Sequence, residues 1–480
     1  MASVDYSKLV AKPEVRRAVA EIQRVLNDTL AAGSFAEREA AALAVTNEAV
    51  RGYLLEQLQR ISEGFGDELL INGLAYKRHE LGTGHYHSLC GPLAVEGHTY
   101  RQMGIRNGPT MVPLELVAGL VEGATPALAC NVAHGYAQHD MRLHEEVLLF
   151  AHRQPPSRAT LERIAKDIGA ETVEAAPRIE PMVRRAETVP EGTVVLVMGL
   201  DRTAVPMVED RPPDAPAKPE PKRRKPRVRQ PPPPFDINWR MAYVGTVSYV
   251  DAYGEALQVR RYAVPACDDP RPLVGQMTAD LRQTLKANPA LNAGIVQDGA
   301  REMWDRTREG MQTLRDEGVL GRWYEGIDRY HLLERLAGAL QIVESDAAQR
   351  QSLLDEWREG FARRNSTVDE VERYFVDQYA RLTDAEQRER LWQHLVYLAN
   401  HKRQMRYITL RNAGLPVGSG VTESSAKTVI GHRAKGSGQR WREQGLRGAL
   451  TLRALHQSQR FPRFWAHLAR RYTAQVQEAA

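Results

Sequence analysis

The sequence predicts a mixed α/β protein: an α/β core with an all-helical insertion, preceded by a mainly helical region. Two apolar, β-branched runs, at 193–200 and 293–297, are typical of strands buried on both faces of a sheet. Apolar residues at helical spacing dominate the first 75 residues and the stretch 332–407. A chain of 480 residues is too long for one simple core, so about three domains are expected.

Composition indicates a soluble protein, with 42% hydrophobic and 26% charged residues. The sequence has no apolar run long enough to span a membrane, and its first residues lack a basic segment followed by an apolar one. A cytoplasmic protein is therefore expected. Cys90, Cys130 and Cys267 lie far apart and form no CxxC pair, which predicts reduced structural cysteines.

Positive charge is concentrated near the C-terminus. Residues 411–480 contain twelve Lys or Arg against three Glu, a net charge of +9 in a chain whose total is +5. Such an asymmetry predicts a basic face that binds nucleic acid, and hence a nucleoid-associated protein. The alternative is a solvated basic helix without a partner.

The first 185 residues are predicted to form two regions. Residues 1–80 are expected to be helical, and residues 81–185 to hold a hairpin and a DNA-binding helix-turn-helix. In the hairpin, 93–95 would face 98–100. Four nearby side chains suggest a zinc site, although the second closely spaced pair that structural zinc needs is missing. They are His85, His87, Cys90 and His98.

The helix-turn-helix outline consists of a helix at 141–152, a tight turn at 154–157 and a second helix at 160–168. The second helix would enter a major groove. Its basic side chains, including the one at its start, are Arg158, Arg163 and Lys166. Proteins that never bind DNA share this outline, so the sequence leaves both interpretations open.

Residues 186–331 are predicted to form the first part of a catalytic core. The strand 193–200 is followed by a Pro/Lys/Arg-rich segment, 208–236, that cannot build a packed core and is expected to be disordered. Strands at 241–250 and 257–264 and a helix at 273–287 lead to the strand that ends before Asp298. The order strand, strand, strand, helix, strand begins the ribonuclease-H-like arrangement, in which the first and fourth strands are adjacent.

Three acidic residues in this framework are candidate metal ligands. Asp201 and Asp298 each follow a predicted buried strand, so they are expected to meet at one edge of the sheet. Glu423 follows a glycine-rich turn and would join them from the start of a helix. Three carboxylates can hold two divalent cations around a phosphodiester. Individually, each residue could instead be a turn former or a helix cap.

Several short motifs together resemble a family. They are Gly199 to Met207, Gln297 to Ala300, Asp328 to His331, Gly418 to Glu423 and Arg433 to Trp441. In this order and with these gaps, roughly residues 80–475 resemble a bacterial insertion-sequence transposase of the DDE class, closest to the Kra-type group. Arg202 is a departure, because many relatives place Gly after the first aspartate.

The resemblance implies a catalytic triad of Asp201, Asp298 and Glu423 that holds two Mg²⁺ or Mn²⁺ ions, cleaves transposon ends and transfers the 3′-hydroxyl strand to target DNA. It also implies a homo-oligomer on double-stranded DNA, an all-helical insertion at 332–415, and a final core segment, 416–480, with a basic DNA-binding tail. Further residues expected near DNA are His331, Lys427, Arg433, Lys435, Arg440 and Trp441.

Two other functions are compatible with the same residues. A ribonuclease-H-fold nuclease would use the triad without strand transfer. A domesticated DNA-binding protein would keep the basic tail and need no metal, although the presence of all three carboxylates argues against it.

Overall fold

The computed structural model describes residues 11–29, 33–212, 235–265 and 269–478. The chain divides into two compact units. The first comprises residues 1–179 and 461–480, and the second comprises residues 180–460.

The first unit contains an antiparallel five-stranded sheet flanked in sequence by helices. Its strand order is β10-β1-β2-β3-β4, so the last strand of the chain pairs with the first. The strands are β1 (Glu68–Ile71), β2 (Leu74–Ser88), β3 (Gly91–Gln102), β4 (Thr110–Met111) and β10 (Val476–Glu478). The helices are α1 (Pro13–Thr29), α2 (Phe35–Glu63), α3 (Pro113–Ala118), α4 (Pro126–Gln138), α5 (Met141–Phe150), α6 (Arg158–Arg185) and α17 (Phe461–Leu468), followed by a 3₁₀ turn (Ala469–Tyr472). The last residues of α6, from Glu180 onwards, are counted with the second unit.

Two predictions for this unit are wrong. Residues 68–71 and 74–80 are strands rather than helix, because α2 ends at Glu63 with Gly64 as its C-cap. The hairpin is longer than expected: both runs predicted to face each other lie within β3, and Leu93 pairs instead with Tyr86 of β2. Alternating buried and exposed residues along β3 place one face in the core.

The predicted helix-turn-helix is only partly present. The first helix is α5, but the second, α6, runs for 28 residues instead of nine. Its N-terminal part buries Leu161, Ile164, Ala165 and Ile168, so one face of this helix belongs to the core.

The second unit is built on a five-stranded mixed sheet. Its strands are β5 (Val195–Asp210), β6 (Phe235–Val250), β7 (Ala256–Val264), β8 (Asn292–Gln297) and β9 (Tyr324–Ile327). Their order is β7-β6-β5-β8-β9. The first strand, β5, is antiparallel to β6 and parallel to β8, and β8 is parallel to β9. The first and fourth strands of the unit are therefore adjacent, as the sequence predicted.

Both faces of this sheet are covered, which explains the continuous apolar runs in its strands. Leu196 and Met198 pack against helices α7 (Arg271–Ala287) and α8 (Arg301–Asp316). Val195 and Val197 belong to a second core on the opposite face, shared with the helical insertion. The outer half of β5 packs against the helical segment that follows Glu423, through Val429, Ile430 and Leu446.

The two predicted strand ends differ from each other. Asp298 follows the last residue of β8, as expected, whereas Asp201 lies inside β5, whose antiparallel pairing with β6 continues to Asp210. The parallel pairing of β5 with β8 stops at Met198. The prediction of disorder over 208–236 is wrong at both ends, because Val208 to Asp210 and Phe235 to Asp236 are strand residues; positions 213–234 lie outside the described residues.

Helices fill the rest of the second unit. The helical insertion comprises α9 (Arg329–Val343), α10 (Ala347–Arg363), α11 (Thr367–Arg381), α12 (Ala385–His401), a 3₁₀ turn (Lys402–Met405) and α13 (Tyr407–Asn412). The final elements are α14 (Gly420–Ser425), a π-helical stretch (Ala426–Gly431), α15 (His432–Ala434) and α16 (Glu443–Gln457). Residues 461–480, predicted to complete the catalytic core, belong to the first unit instead.

Over the described ranges, no helix combines the length and the apolar character that crossing a bilayer would require.

Candidate functional site

The three predicted acidic residues line one cleft in the second unit. Water-sized molecules can occupy about 130 Å³ of it. Asp201 reaches it from β5, Asp298 from the end of β8, and Glu423 from α14. The remaining lining residues are Leu200, Gln297, His331, Ser419 and Thr422.

Gln297 marks the point where the strands separate and the cleft opens. Beyond the last parallel pair, the backbone N–H of Leu200 donates to Gln297 Oε1 at 3.3 Å. The Gln297 amide nitrogen in turn donates to Thr307 Oγ1 of α8 at 3.1 Å. A buried side chain thus replaces the next main-chain hydrogen bond between the strands and leaves a gap beside Asp201 and Asp298.

Small side chains allow α14 to approach the sheet. The hydroxyls of Thr422 and Thr246 are 2.7 Å apart, and both are buried. A Cβ atom at Gly199 would overlap the Thr422 hydroxyl. Glycine at this position therefore permits the close contact that brings Glu423 to the cleft.

Each of the three carboxylates is held through one oxygen. Asp201 Oδ1 accepts the N–H of Arg202 at 2.7 Å, and Asp298 Oδ1 accepts the N–H of Ala300 at 3.0 Å. Glu423 Oε1 accepts the Ser419 hydroxyl at 2.6 Å. Over the described residues, the second oxygen of each carboxylate has no hydrogen-bond partner, so three acceptor oxygens remain for a ligand.

The environment of Asp201 disfavours its negative charge. Burial raises the pKa of this carboxyl group, and the charges of Asp298 and Glu423 raise it further. The Arg202 N–H and His331 partly offset these effects. A cation in the cleft would stabilise the ionised carboxylate.

A second group of possible ligands shares His331 and Glu423 with the cleft. Asp328, His331 and Glu423 bring ligand atoms within 4.8 Å of one another, and over the described residues they are the only such group of three. The oxygens of Asp201, Asp298 and Glu423 do not all lie within this distance of one another, so in this arrangement the three carboxylates do not share one ion.

Asp328 is a poor candidate ligand, because both of its oxygens are already used. Oδ1 accepts the N–H groups of Tyr330 and His331 at 2.7 and 2.9 Å and caps α9. Oδ2 accepts the backbone N–H of Ser419. This residue is only 1% exposed. Asp328 therefore acts as a helix cap and a core contact.

His331 lies at the cleft with one ring nitrogen unpaired. Its Nδ1 atom is buried and has no hydrogen-bond partner, at 3.6 Å from Glu423 Oε1 and 3.7 Å from Asp328 Oδ1. The side chain as a whole is 42% exposed, so its remaining edge is accessible from the cleft.

The predicted DNA-binding residues of the second unit fall into two groups. Lys427, Lys435 and Arg440 are exposed, and the Lys435 ammonium contacts the hydroxyl of Thr203, two residues beyond Asp201. Arg433, by contrast, is 2% exposed and stacks on the Trp441 ring at 4.6 Å. This burial favours a packing role over the predicted phosphate contact.

Trp441 also contributes to the packing of the second unit. Its backbone pairs with β5 through bonds to Val208 and Pro206, and its ring packs at the edge of a buried cluster. This packing favours a core role for Trp441 over the predicted contact with DNA.

Two of the three predicted DNA-binding residues of the first unit lie beside acidic side chains of the same unit. Arg163 forms an ion pair with Glu122, and Arg158 lies 3.5 Å from Glu162. Lys166 is exposed.

The structure gives no support to the zinc site. His85, His87, Cys90 and His98 do not form a cluster of three ligand atoms within the described residues. Cys90 is buried and its thiol donates to Asn47. Cys90 and Cys130 are free thiols, and Cys267 lies outside the described residues.

Two contributors to the cleft were missed by the sequence analysis: Gln297 and Ser419. Both occur within the quoted motifs, but no role was assigned to them. A polar residue at the end of an apolar strand, and a serine between two glycines, are the signals that could have drawn attention to them.

No protein-family model and no curated protein matches this chain.

Proposed function

We propose that this protein is a DNA transposase that cleaves transposon ends and joins the released 3′-hydroxyl to target DNA. Asp201, Asp298 and Glu423 would hold two Mg²⁺ or Mn²⁺ ions. The observation that carries the proposal is the shared cleft, where each of these carboxylates is fixed through one oxygen and keeps the other unpaired.

The donor set fits hard divalent cations. Mg²⁺ and Mn²⁺ prefer oxygen ligands, and three acidic side chains supply unpaired oxygens from β5, from the residue that follows β8 and from α14. Bound ions would supply charge stabilisation for both the attacking and the leaving oxygen of an in-line displacement at phosphorus. Asp328 does not join this set, since its oxygens are used by backbone donors.

The chain's own residues would orient the reacting groups. The Arg202 and Ala300 N–H groups fix the two aspartates, and the Ser419 hydroxyl fixes the glutamate. The exposed edge of His331 faces the cleft, where it can donate a hydrogen bond to a phosphate oxygen. Groups held in place before the reaction need no reorganisation during it.

Several features favour DNA as the substrate. Residues 411–480 carry a net charge of +9, and exposed Lys435 contacts the strand that bears Asp201. The strand order β7-β6-β5-β8-β9, with adjacent parallel β5 and β8, is the order expected of a ribonuclease-H-like core. A homo-oligomer follows from the need to handle two transposon ends together, and is part of the proposal.

The test is divalent-cation-dependent nicking and strand transfer on DNA that carries the terminal repeats flanking the gene. Wild type should give both nicked and joined products with Mg²⁺. Asp298→Asn and Glu423→Gln should each lose both products by more than about 100-fold while DNA binding is retained. Asp316→Asn, which changes an exposed carboxylate on α8, is the matched control and should behave as wild type.

The products also separate the alternatives. Cleavage without joining would favour a nuclease over a transposase. DNA binding by wild type without cation-dependent chemistry would contradict the role assigned to the triad and leave a DNA-binding protein.

A further inference from the structure

We infer that Ser419 is a positioning residue, which holds Glu423 in the orientation that binds a divalent cation and is itself held by Asp328. This inference rests on the proposed function, because it assigns Glu423 to a cation site. Ser419 orients Glu423, and Asp328 holds Ser419 in place. Neither residue contacts the substrate in this proposal.

Ser419 lies at a position where its hydroxyl would normally cap a helix. It precedes α14, yet its side chain makes no capping bond to the backbone of that helix. The hydroxyl oxygen lies instead 2.6 Å from Glu423 Oε1 and 2.9 Å from Asp328 Oδ2. Ser419 is 5% exposed, so water does not compete freely for these contacts.

The Ser419 hydroxyl can donate to only one of the two carboxylates beside it. A serine hydroxyl carries one hydrogen, and both neighbouring oxygens are carboxylate acceptors. Asp328 Oδ2 already accepts the backbone N–H of Ser419. Donation of the hydroxyl hydrogen to Glu423, the closer oxygen, therefore satisfies both carboxylates at once.

Asp328 fixes the turn that carries Ser419. Its Oδ1 caps α9, so the carboxylate cannot rotate without breaking two bonds to backbone N–H groups. A further backbone bond, from Arg329 N–H to Val417 C=O at 3.0 Å, ties the same turn to the start of α9. The turn is thus anchored to an element other than the one that bears Glu423.

The consequence is a glutamate with one fixed and one unpaired oxygen. Without the Ser419 hydroxyl, rotation about the side-chain bonds of Glu423 would let its carboxylate leave the cleft or approach His331. Groups that hydrogen-bond a metal ligand typically change metal affinity by 10–100-fold when they are removed. Ser419 therefore sets the cation affinity of the site.

Cation binding can be measured without DNA. The melting temperature of the full-length chain is recorded while Mg²⁺ or Mn²⁺ is titrated, since a cation that binds only the folded state raises it by mass action. Wild type, Ser419→Ala and Ser419→Thr are compared. Ser424→Ala removes a neighbouring, exposed hydroxyl and is the matched control.

Ser419→Ala is expected to require about 10-fold more cation for the same stabilisation. Ser419→Thr restores the hydroxyl and should return the required cation concentration towards the wild-type value. Such a recovery would not be expected if Ser419→Ala weakened binding only through lost packing. Ser424→Ala should match wild type. Melting without cation shows whether each variant folds, and a Ser419→Thr protein that folds but binds as weakly as Ser419→Ala would overturn the inference.

The outcomes separate this inference from the proposed function. Equal cation affinity of wild type and Ser419→Ala would overturn the role of Ser419, even if the wild-type protein cleaves and joins DNA. Reduced affinity of Ser419→Ala in a chain that leaves DNA intact would support Ser419 and contradict the transposase. A wild-type chain that binds no cation would overturn both.

Discussion

Leu200 donates its backbone N–H to the Gln297 side chain, at the point where the parallel strands β5 and β8 stop pairing. The residues that follow these two in sequence, Asp201 and Asp298, line the cleft. The spacing of the two aspartates therefore depends on a buried amide that is itself held by Thr307.

Replacement of Gln297 by Leu should destabilise the protein. The substitution keeps a similar volume but leaves the buried N–H of Leu200 without its acceptor, which costs about 1–3 kcal/mol. Urea unfolding of the variant measures this loss. Gln312→Leu, on the exposed side of α8, should change the free energy of unfolding by less than about 0.5 kcal/mol. Equal effects at the two positions would show that the Gln297 bond is unimportant.

Gly199→Ala should destabilise the protein and disturb the position of Glu423. The added methyl group would overlap the Thr422 hydroxyl, at a cost of about 1–3 kcal/mol for overpacking. Gly275→Ala is the control, since its Cβ would meet nothing within 4 Å on an exposed position of α7. That change should stabilise by about 0.5–1 kcal/mol. Thermal melting of both variants gives the comparison, and a neutral Gly199→Ala would contradict the close contact.

Asp201→Asn should make the protein more stable in the absence of divalent cations. Burial and the charges of Asp298 and Glu423 raise the pKa of Asp201, so its ionised form destabilises the folded state above that pKa. Asparagine keeps an acceptor for the Arg202 N–H and carries no charge. The variant should melt above wild type at pH 8 and lose this advantage at acidic pH. A lower melting temperature at pH 8 would contradict the account.

Glu180→Gln should stabilise the protein at alkaline pH. Burial raises the pKa of Glu180 to about 7, and the cations of Arg460 and Arg184 offset this only in part. The folded state thus binds a proton more tightly than the unfolded state, so the free energy of unfolding falls as pH rises from 4.5 to about 7. The substitution removes this loss, which is on the order of 1–3 kcal/mol above pH 7.

The check is urea unfolding of Glu180→Gln and wild type at pH 4 and pH 8. The gain should appear at pH 8 and nearly vanish at pH 4. Glu191→Gln, an exposed control in the same unit, should show no such pH dependence. A gain of equal size at both pH values would mean that the carboxyl group of Glu180 does not titrate as described.

Local patterns predicted much of the second unit. The apolar runs before Asp201 and Asp298 and the helix ending at Ala287 give strong signals because their burial is continuous or periodic. The predicted adjacency of the first and fourth strands is also observed. That Asp201 lies inside a strand was not predictable from its neighbours, since the outer half of β5 is stabilised by distant residues such as Leu446.

Relations between distant residues account for the other differences. The strand at 68–71 pairs with residues near the C-terminus, and no local pattern encodes such a pairing. Arg433 carries a charge that favours exposure, yet its stacking on Trp441 allows burial. The sequence predicted the three carboxylates of the candidate site. It did not predict which of their oxygens stay unpaired, because that depends on hydrogen bonds from Arg202, Ala300 and Ser419 in the folded chain.

The most direct test of the central claim is anomalous diffraction from crystals of the wild-type protein soaked in Mn²⁺. We expect anomalous density in the cleft within coordination distance of Asp201, Asp298 and Glu423, with Asp328 still bonded to the Ser419 N–H. Density at Asp328 and His331 that does not contact the two other aspartates, or a cleft without density at saturating Mn²⁺, would contradict it.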